Sequence, residues 1–260
     1  MSTPAAATTI DRAELEAKVK QIYRAVAQNP AGHYHFPMGR SLAEGLGYPP
    51  ALFDLIPAGA IESFAGVGYN FDLADLNQGE EVLDLGSGSG MDAFVAAVKV
   101  GSGGRVVGLD MTEEQNAKAE SLRKPADFPQ VTFALGHIED LPFRDASFDC
   151  VISNGVINLS PDKSAVFREA ARVLRPGGRL AITDIVTEKQ LTPQIVCNAD
   201  LWAACIGGAA QTDTYQQSIT GSGFILEQMR RNPYEFLSDS ARAAAAKYGV
   251  MSVSFLARAR

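Results

Sequence analysis

Apolar residues along this chain switch between two spacings, and the switches mark out its elements. Five short apolar runs, at residues 81–85, 105–109, 131–136, 148–153 and 179–186, predict strands. Helical spacing fills the gaps between them. One predicted helix covers 91–100. A second runs from Thr112, with Thr112 and Gln115 as a capping box, to about Lys124. A third opens at Ser160-Pro161-Asp162, with Ser160 as N-cap and Pro161 in the first turn, and stops at Pro176-Gly177-Gly178. Strand and helix alternating with short joins predict a parallel sheet covered on both faces. Beyond it come helical stretches at 198–205, 212–220 and 240–248, and two further strands at 224–229 and 250–257 that close the sheet like a hairpin.

The region before the first strand has a different pattern. Leu15, Val19, Ile22, Tyr23 and Val26 form one stripe of an amphipathic helix over 11–28, and Asp11 is placed to cap it. Residues 33–70 then lose regular spacing, apart from short helical pieces near 40–46 and 50–55. So long an irregular segment in a compact protein is usually functional or disordered. Phe36, Tyr48, Phe53, Phe64 and Phe71 make this one too apolar for disorder, and it reads as a cap over a binding site.

Composition narrows the function classes. With 260 residues, 46% of them hydrophobic, the chain can bury one substantial core and a lid. A formal charge of −7 without any Lys- or Arg-rich run argues against a nucleic-acid groove and leaves a small molecule as the expected partner. No apolar run approaches membrane-spanning length, and the first ten residues lack a basic and apolar leader pattern. The three cysteines, Cys150, Cys197 and Cys205, make no disulfide framework or C-x-x-C pair, so the expected setting is a reducing cytoplasm. Cys150 sits inside a predicted buried strand and reads as core. His33 and His35 alternate but read as polar capping, and no metal site is expected.

The chemistry concentrates after the first strand. Val82-Leu83-Asp84-Leu85 runs into Gly86-Ser87-Gly88-Ser89-Gly90, and the next strand ends at Asp110. In an open α/β sheet, ligands bind beyond the carboxyl ends of the central strands, where glycine lets backbone approach. A carboxylate ending the second strand can accept hydrogen bonds from both hydroxyls of a ribose. A dinucleotide site would show G-x-G-x-x-G. Here Gly86-x-Gly88-x-Gly90 follows an acid two residues upstream, a variant that resembles the class I methyltransferases that bind S-adenosylmethionine. On that resemblance the fold is α/β, Rossmann-like, with a seven-stranded and mostly parallel sheet flanked by helices. Residues 1–70 would form a helical arm and cap, and 71–260 the methyltransferase domain. Asp84, Gly86, Ser87, Gly88 and Gly90 would cradle the methionine end, and Asp110 would hold the ribose. Met111 and Ile138 would flank adenine, Glu139 or Asp140 would accept its amine, and Ser153 and Asn154 would lie near the methyl group.

The likeness sharpens further along. Ser153-Asn154-Gly155-Val156-Ile157-Asn158-Leu159-Ser160-Pro161-Asp162-Lys163, Val107-Gly108-Leu109-Asp110-Met111-Thr112 and Leu201-Trp202-Ala203-Ala204-Cys205-Ile206-Gly207-Gly208-Ala209 resemble the arsenite S-adenosylmethionine methyltransferases. That resemblance implies methyl transfer to a small soft acceptor and thiolates to hold it. Cys205 matches one arsenic-binding position. Gly155 stands where the family has a second cysteine, Gly66-Val67-Gly68-Tyr69-Asn70 where it has a Gly-Cys-Gly-Asn-Pro loop, and His33-Tyr34-His35-Phe36 where it has an upstream cysteine. Two of the three ligands are therefore missing. Cys197, if on one continuous helix with Cys205, stands roughly 12 Å away and about 80° round, too far to share an atom. Those departures favour a thiol, sulfide or another small acceptor, with arsenite still a candidate alongside thiol co-ligands, and Asn154, Cys205 and Tyr69 are the expected catalytic residues of the acceptor pocket. His137 and Tyr34 are further candidates for a base. Methylation of a quinone-like ring and cofactor sensing without catalysis are the competing readings, the first because Leu141-Pro142-Phe143 and Arg175-Pro176-Gly177-Gly178 also resemble quinone methyltransferases.

Overall fold

The structure, a computed structural model, describes residues 11–196, 202, 205–237 and 239–260. Its centre is one sheet of strands β1 (Glu81–Leu85), β2 (Arg105–Asp110), β3 (Val131–Leu135), β4 (Phe148–Asn154), β5 (Leu174–Thr187), β6 (Ala210–Gln211), β7 (Phe224–Arg231) and β8 (Met251–Ala259). The order is β3-β2-β1-β4-β5-β8-β7. β1 to β5 run parallel, and β8 runs antiparallel to both β5 and β7. The sheet has eight strands and not seven, because the two-residue β6 pairs beside the end of β5. β5 also starts earlier than its apolar run: Leu174 already pairs with Phe148, and an irregular register carries the chain to Arg179.

Chain order reverses between β1 and β4, so a crevice opens beyond their carboxyl ends. Helices α5 (Met91–Val100), α6 (Glu113–Arg123) and α7 (Lys163–Val173) supply the crossovers, and α9 (Thr212–Gly221) and α10 (Asp239–Tyr248) accompany the last strands. A four-residue α8 (Pro193–Val196) precedes residues 197–200. Cys197 and most of the helix expected at 198–205 lie outside the described residues.

Two capping expectations change. Asp162 caps α7 by accepting from the Ala165 amide at 3.0 Å, while Ser160 Oγ turns to Glu139. Thr112 sits at the N-cap of α6 without a side-chain cap bond, since its side chain turns to Asp110, and Gln115 is buried and bonded elsewhere. α1 (Arg12–Gln28) is capped as expected: Asp11 accepts from the Ala13 and Glu14 amides. The segment after α1 carries the short helices α2 (Gly39–Gly45), α3 (Ala58–Glu62) and α4 (Phe71–Ala74). Its Tyr48, Phe53, Ile56, Phe64 and Phe71 share one buried cluster with Val82 of β1 and Phe94 and Val95 of α5. At its end, Asn70 Nδ2 donates to the Ser153 and Ala181 carbonyls, at 3.1 and 3.0 Å, and fastens the cap to the strand ends.

Candidate active site

The turn after β1 is built for close backbone approach. Gly86, Gly88 and Gly90 all have positive φ, at 71°, 53° and 93°. The amides of Gly86 and Ser87 donate to the Leu109 carbonyl, at 2.7 and 3.0 Å. Asp110 closes the turn: Oδ2 accepts from the Gly88 amide at 2.9 Å and Oδ1 from the Thr112 amide at 2.8 Å. The glycines differ in purpose. A Cβ on Gly86 would come 2.4 Å from a methyl of Val156, and one on Gly90 2.6 Å from the Phe133 ring. A Cβ on Gly88 would meet nothing nearer than 3.8 Å, so this position stays open toward the crevice.

The crevice is a cavity of about 360 Å³. Asp84, Gly86, Ser87, Gly88, Asp110, Met111, Ile138 and Glu139 line one side of it, together with His137. Leu15, Val19 and Tyr23 of α1, and Ala60, Phe64, Ala65 and Gly66 of the cap, line the other, with Val156 and Leu159 beyond β4. α1 is fastened over it by a buried relay: Ser89 Oγ donates to Gln115 Oε1 at 2.6 Å, and Gln115 Nε2 donates to the Tyr23 carbonyl at 2.9 Å.

Asn154 joins the two sides. Its Oδ1 accepts from the Val67 and Gly68 amides, at 2.8 and 3.3 Å. Its Nδ2 donates to the Gly68 carbonyl, to Tyr48 Oη and to Asp92 Oδ2, at 2.9, 3.1 and 3.0 Å. Tyr48 Oη in turn donates to Asp92 Oδ1 at 2.6 Å. Asp92, Tyr48 and Gln115 are absent from the expected site, since each works through partners far away in the chain. An acid just after the glycine turn was the only sequence signal for Asp92.

Three carboxylates now share one wall. Burial raises the Asp84 acid well above its usual range, and the negative charges of Asp92 and Asp110 add to the effect. Burial likewise pushes Asp92 up to about 6, against the hydrogen bonds from Tyr48 and Asn154. Asp110 is raised by burial and held back by the Thr112 and Gly88 amides. Asp84 Oδ2 is buried and has no partner at all. A desolvated carboxylate oxygen without a donor is costly unless a ligand supplies one.

Four expected site residues stand outside the cavity wall. Ser153 is buried with its hydroxyl on the Leu85 carbonyl at 2.9 Å, so it braces β4 against β1. Gly90 is the N-cap of α5, packed beneath Phe133 and Phe94. Tyr69 packs edge-on against Tyr48, with ring centres 4.9 Å apart, and burial raises its phenol. Cys205 lies behind α1, in contact with the apolar clusters of Leu15 and Val67. Its thiol is pushed up to about 11, chiefly by burial, so it is held neutral, and its carbonyl accepts from Asn158. Cys150, in β4, is fully buried and pushed up to about 12 for the same reason.

The positions matched to arsenic-binding cysteines do converge. Gly155 has φ 76°, and a Cβ there would lie 3.2 Å from a methyl of Val67, which shares its cluster with Cys205. The corner is closed by aliphatic contact with one neutral thiol beside it. Among the described residues no group of three His, Cys, Asp or Glu could hold a metal ion, and no helix is long and apolar enough to cross a membrane.

Comparison with known proteins gives consistent matches. A family described as a methyltransferase domain matches residues 76–230. The arsenite methyltransferase of Halobacterium salinarum is 41% identical over 176 residues, 67% of this chain and 45% of that protein. That of Aquipseudomonas alcaligenes is 41% identical over 175 residues, 65% of this chain and 51% of that protein. The chain thus spans about half the length of these curated relatives. Among solved structures, an arsenic(III) S-adenosylmethionine methyltransferase from Chlamydomonas reinhardtii superposes with a TM-score of 0.64 at 30% identity, covering 86% of this chain and 74% of that one.

Proposed function

This chain belongs to the methyltransferase family that matches its residues 76–230, and from that premise we propose that it transfers a methyl group from S-adenosylmethionine to a small soft nucleophile. A metalloid such as arsenite is the first choice, in line with the named relatives. A thiol or sulfide is the next. The observation that carries the reading is the unpartnered Asp84 oxygen beside an open Gly88, on the same wall as Asp110.

These residues fit the cofactor. The Asp110 carboxylate at the end of β2 lines the cavity where it suits a ribose diol, Met111 and Ile138 offer apolar faces to adenine, and Asp84 suits a cationic methionine end. When bound, the cofactor supplies a methyl group activated on a sulfonium. Displacement at that carbon by a soft lone pair needs little acid–base help, so the protein's task is to align two reactants and exclude water. Asn154 holds the 66–68 loop against the end of β4, and Leu15, Val19, Phe64, Ala65, Val156 and Leu159 supply an apolar surface facing the cradle. With one neutral thiol nearby, arsenite would arrive with small thiols as its remaining ligands.

The test is to incubate the protein and cofactor with arsenite, selenite, sulfide and small thiols, separately and with arsenite plus thiol, and to measure S-adenosylhomocysteine. Turnover with arsenite only when thiol is present is the expected result. Silence with every soft acceptor would sink this reading of the substrate.

A further inference from the structure

Asp84 and Asp92 flank the glycine turn, one at the end of β1 and the other in the first turn of α5. They are 2% and 6% exposed, and both line the cavity. Among the described residues no ion pair reaches either acid, and the wall holds no lysine and a single arginine, Arg12 of α1. What faces Asp92 is neutral: Tyr48 from the cap and Asn154 from β4, each donating to a different carboxylate oxygen. The next charge, Asp110 on β2, is of the same sign. Two desolvated carboxylates so placed do not both ionise without a cation.

We propose that Asp92, held by Tyr48 and Asn154, completes with Asp84 a two-carboxylate receptor for the α-ammonium of the methionine end, and that the pair keeps one proton which leaves as the ammonium enters. The inference rests on the methyltransferase reading above. An ammonium carries three donors. Asp84 Oδ2 is free to accept one, and each oxygen of Asp92 has a lone pair left beyond those turned to Tyr48 and Asn154. Among the described residues no group of three His, Cys, Asp or Glu that could hold a metal ion includes them, and the pair matches a single cationic group. The raised affinity of both acids for protons is in keeping with this. Because Asn154 also grips the Val67 and Gly68 amides, the receptor is tied to the cap, which makes Tyr48 and Asn154 positioning residues for it.

Calorimetry with two ligands separates this from a structural role. S-adenosylhomocysteine carries the amino-acid end; 5′-methylthioadenosine keeps the nucleoside and thioether without it. Titrations between pH 5 and 7.5, in buffers of different ionisation enthalpy, should show proton release near pH 6 with the first ligand only. Its affinity should rise about tenfold over that range, the worth of one charge-assisted hydrogen bond, while the second ligand's stays flat. Asp92→Asn should abolish the release and weaken S-adenosylhomocysteine about tenfold, leaving methylthioadenosine within about twofold. Tyr48→Phe, which strips one donor from Asp92, should move the midpoint of the pH dependence upward. Equal proton release with both ligands, none with either, or equal loss of both affinities in Asp92→Asn overturns the receptor. Failure of the wild-type protein to bind either nucleoside overturns the methyltransferase reading with it.

Discussion

The two walls of the cavity are made in opposite ways. The cradle, from Asp84 to Asp92 with Asp110, is local: one strand, one turn and the end of the next strand bring all its groups together. The facing wall is assembled from α1, the cap around Ala60 and residues 63–66, and the loop after β4, and its ties join partners far apart in the chain, such as Gln115 and Tyr23, 92 residues apart. A local site is specified by backbone conformation, since glycines with positive φ and a parallel register leave few alternatives. An assembled site is specified by side-chain contacts and can drift without losing the fold. The cradle should therefore govern cofactor affinity, and the facing wall the choice of acceptor.

The largest expected effect is at Asp110. Asp110→Ala removes the acceptor of the Gly88 and Thr112 amides together with the group proposed for the ribose. Loss of two charge-assisted bonds predicts a fall in S-adenosylhomocysteine affinity of about a hundredfold or more, read by calorimetry. Unchanged affinity would break the distinction between the walls at its strongest point.

The converse variant is Ala65→Phe. Ala65 lines the cavity from the cap, and its carbonyl lies beside Gly155. A ring placed there occupies acceptor space and leaves the cradle alone. The expected outcome is a fall in kcat/KM for the acceptor of about tenfold or more, with cofactor affinity changed less than about threefold. A parallel loss of both would show that the facing wall holds the cofactor too.

This division also explains what could be read from the chain beforehand. The five parallel strands, the glycine turn and Asp110 follow from apolar runs, turn residues and one acid, all signals within a few residues. β6 escaped because two residues carry no periodicity, and β5 was shortened because Pro176-Gly177-Gly178 reads as a stop although Leu174 already pairs with Phe148. Ser153 stands near the end of a strand that points at the site, but its hydroxyl finds the Leu85 carbonyl next door. Gln115 fitted a capping box, yet burial turned it to Ser89 and the Tyr23 carbonyl. Cys205 packs against the clusters of Leu15 and Val67 and does not itself line the cavity, which its position in the sequence alone does not show. Tyr48 and Asp92 meet across forty-four residues, and nothing local announces that contact.

α1 offers a smaller test of how the facing wall is held. Gln115→Leu keeps the volume and removes the relay to the Tyr23 carbonyl, leaving that carbonyl and Ser89 without their buried partner. At about 1 kcal/mol for such a bond, kcat/KM for the acceptor should fall about fivefold, with S-adenosylhomocysteine affinity changed less than about threefold. Amide exchange of residues 12–28 should quicken in the bound state.

The smallest effect is expected at the other tie between the same helices, the ion pair of Arg24 with Glu114. Its arginine is 55% exposed, so water and salt screen most of the attraction, and an exposed pair contributes about 0.2–1 kcal/mol. Arg24→Gln should therefore change kcat/KM for the acceptor less than about threefold, and the difference should vanish at high salt. The comparison with Gln115→Leu is the informative part, because both variants loosen α1 from α6 at neighbouring residues. A buried neutral relay that outweighs an exposed ion pair means that α1 is seated by desolvated contact, as a wall of the cavity must be if it is to exclude water from a soft nucleophile. If Arg24→Gln costs as much as Gln115→Leu, and salt reproduces the loss in the wild-type protein, then α1 is steered by surface charge. The dry wall would then be a feature of low ionic strength alone.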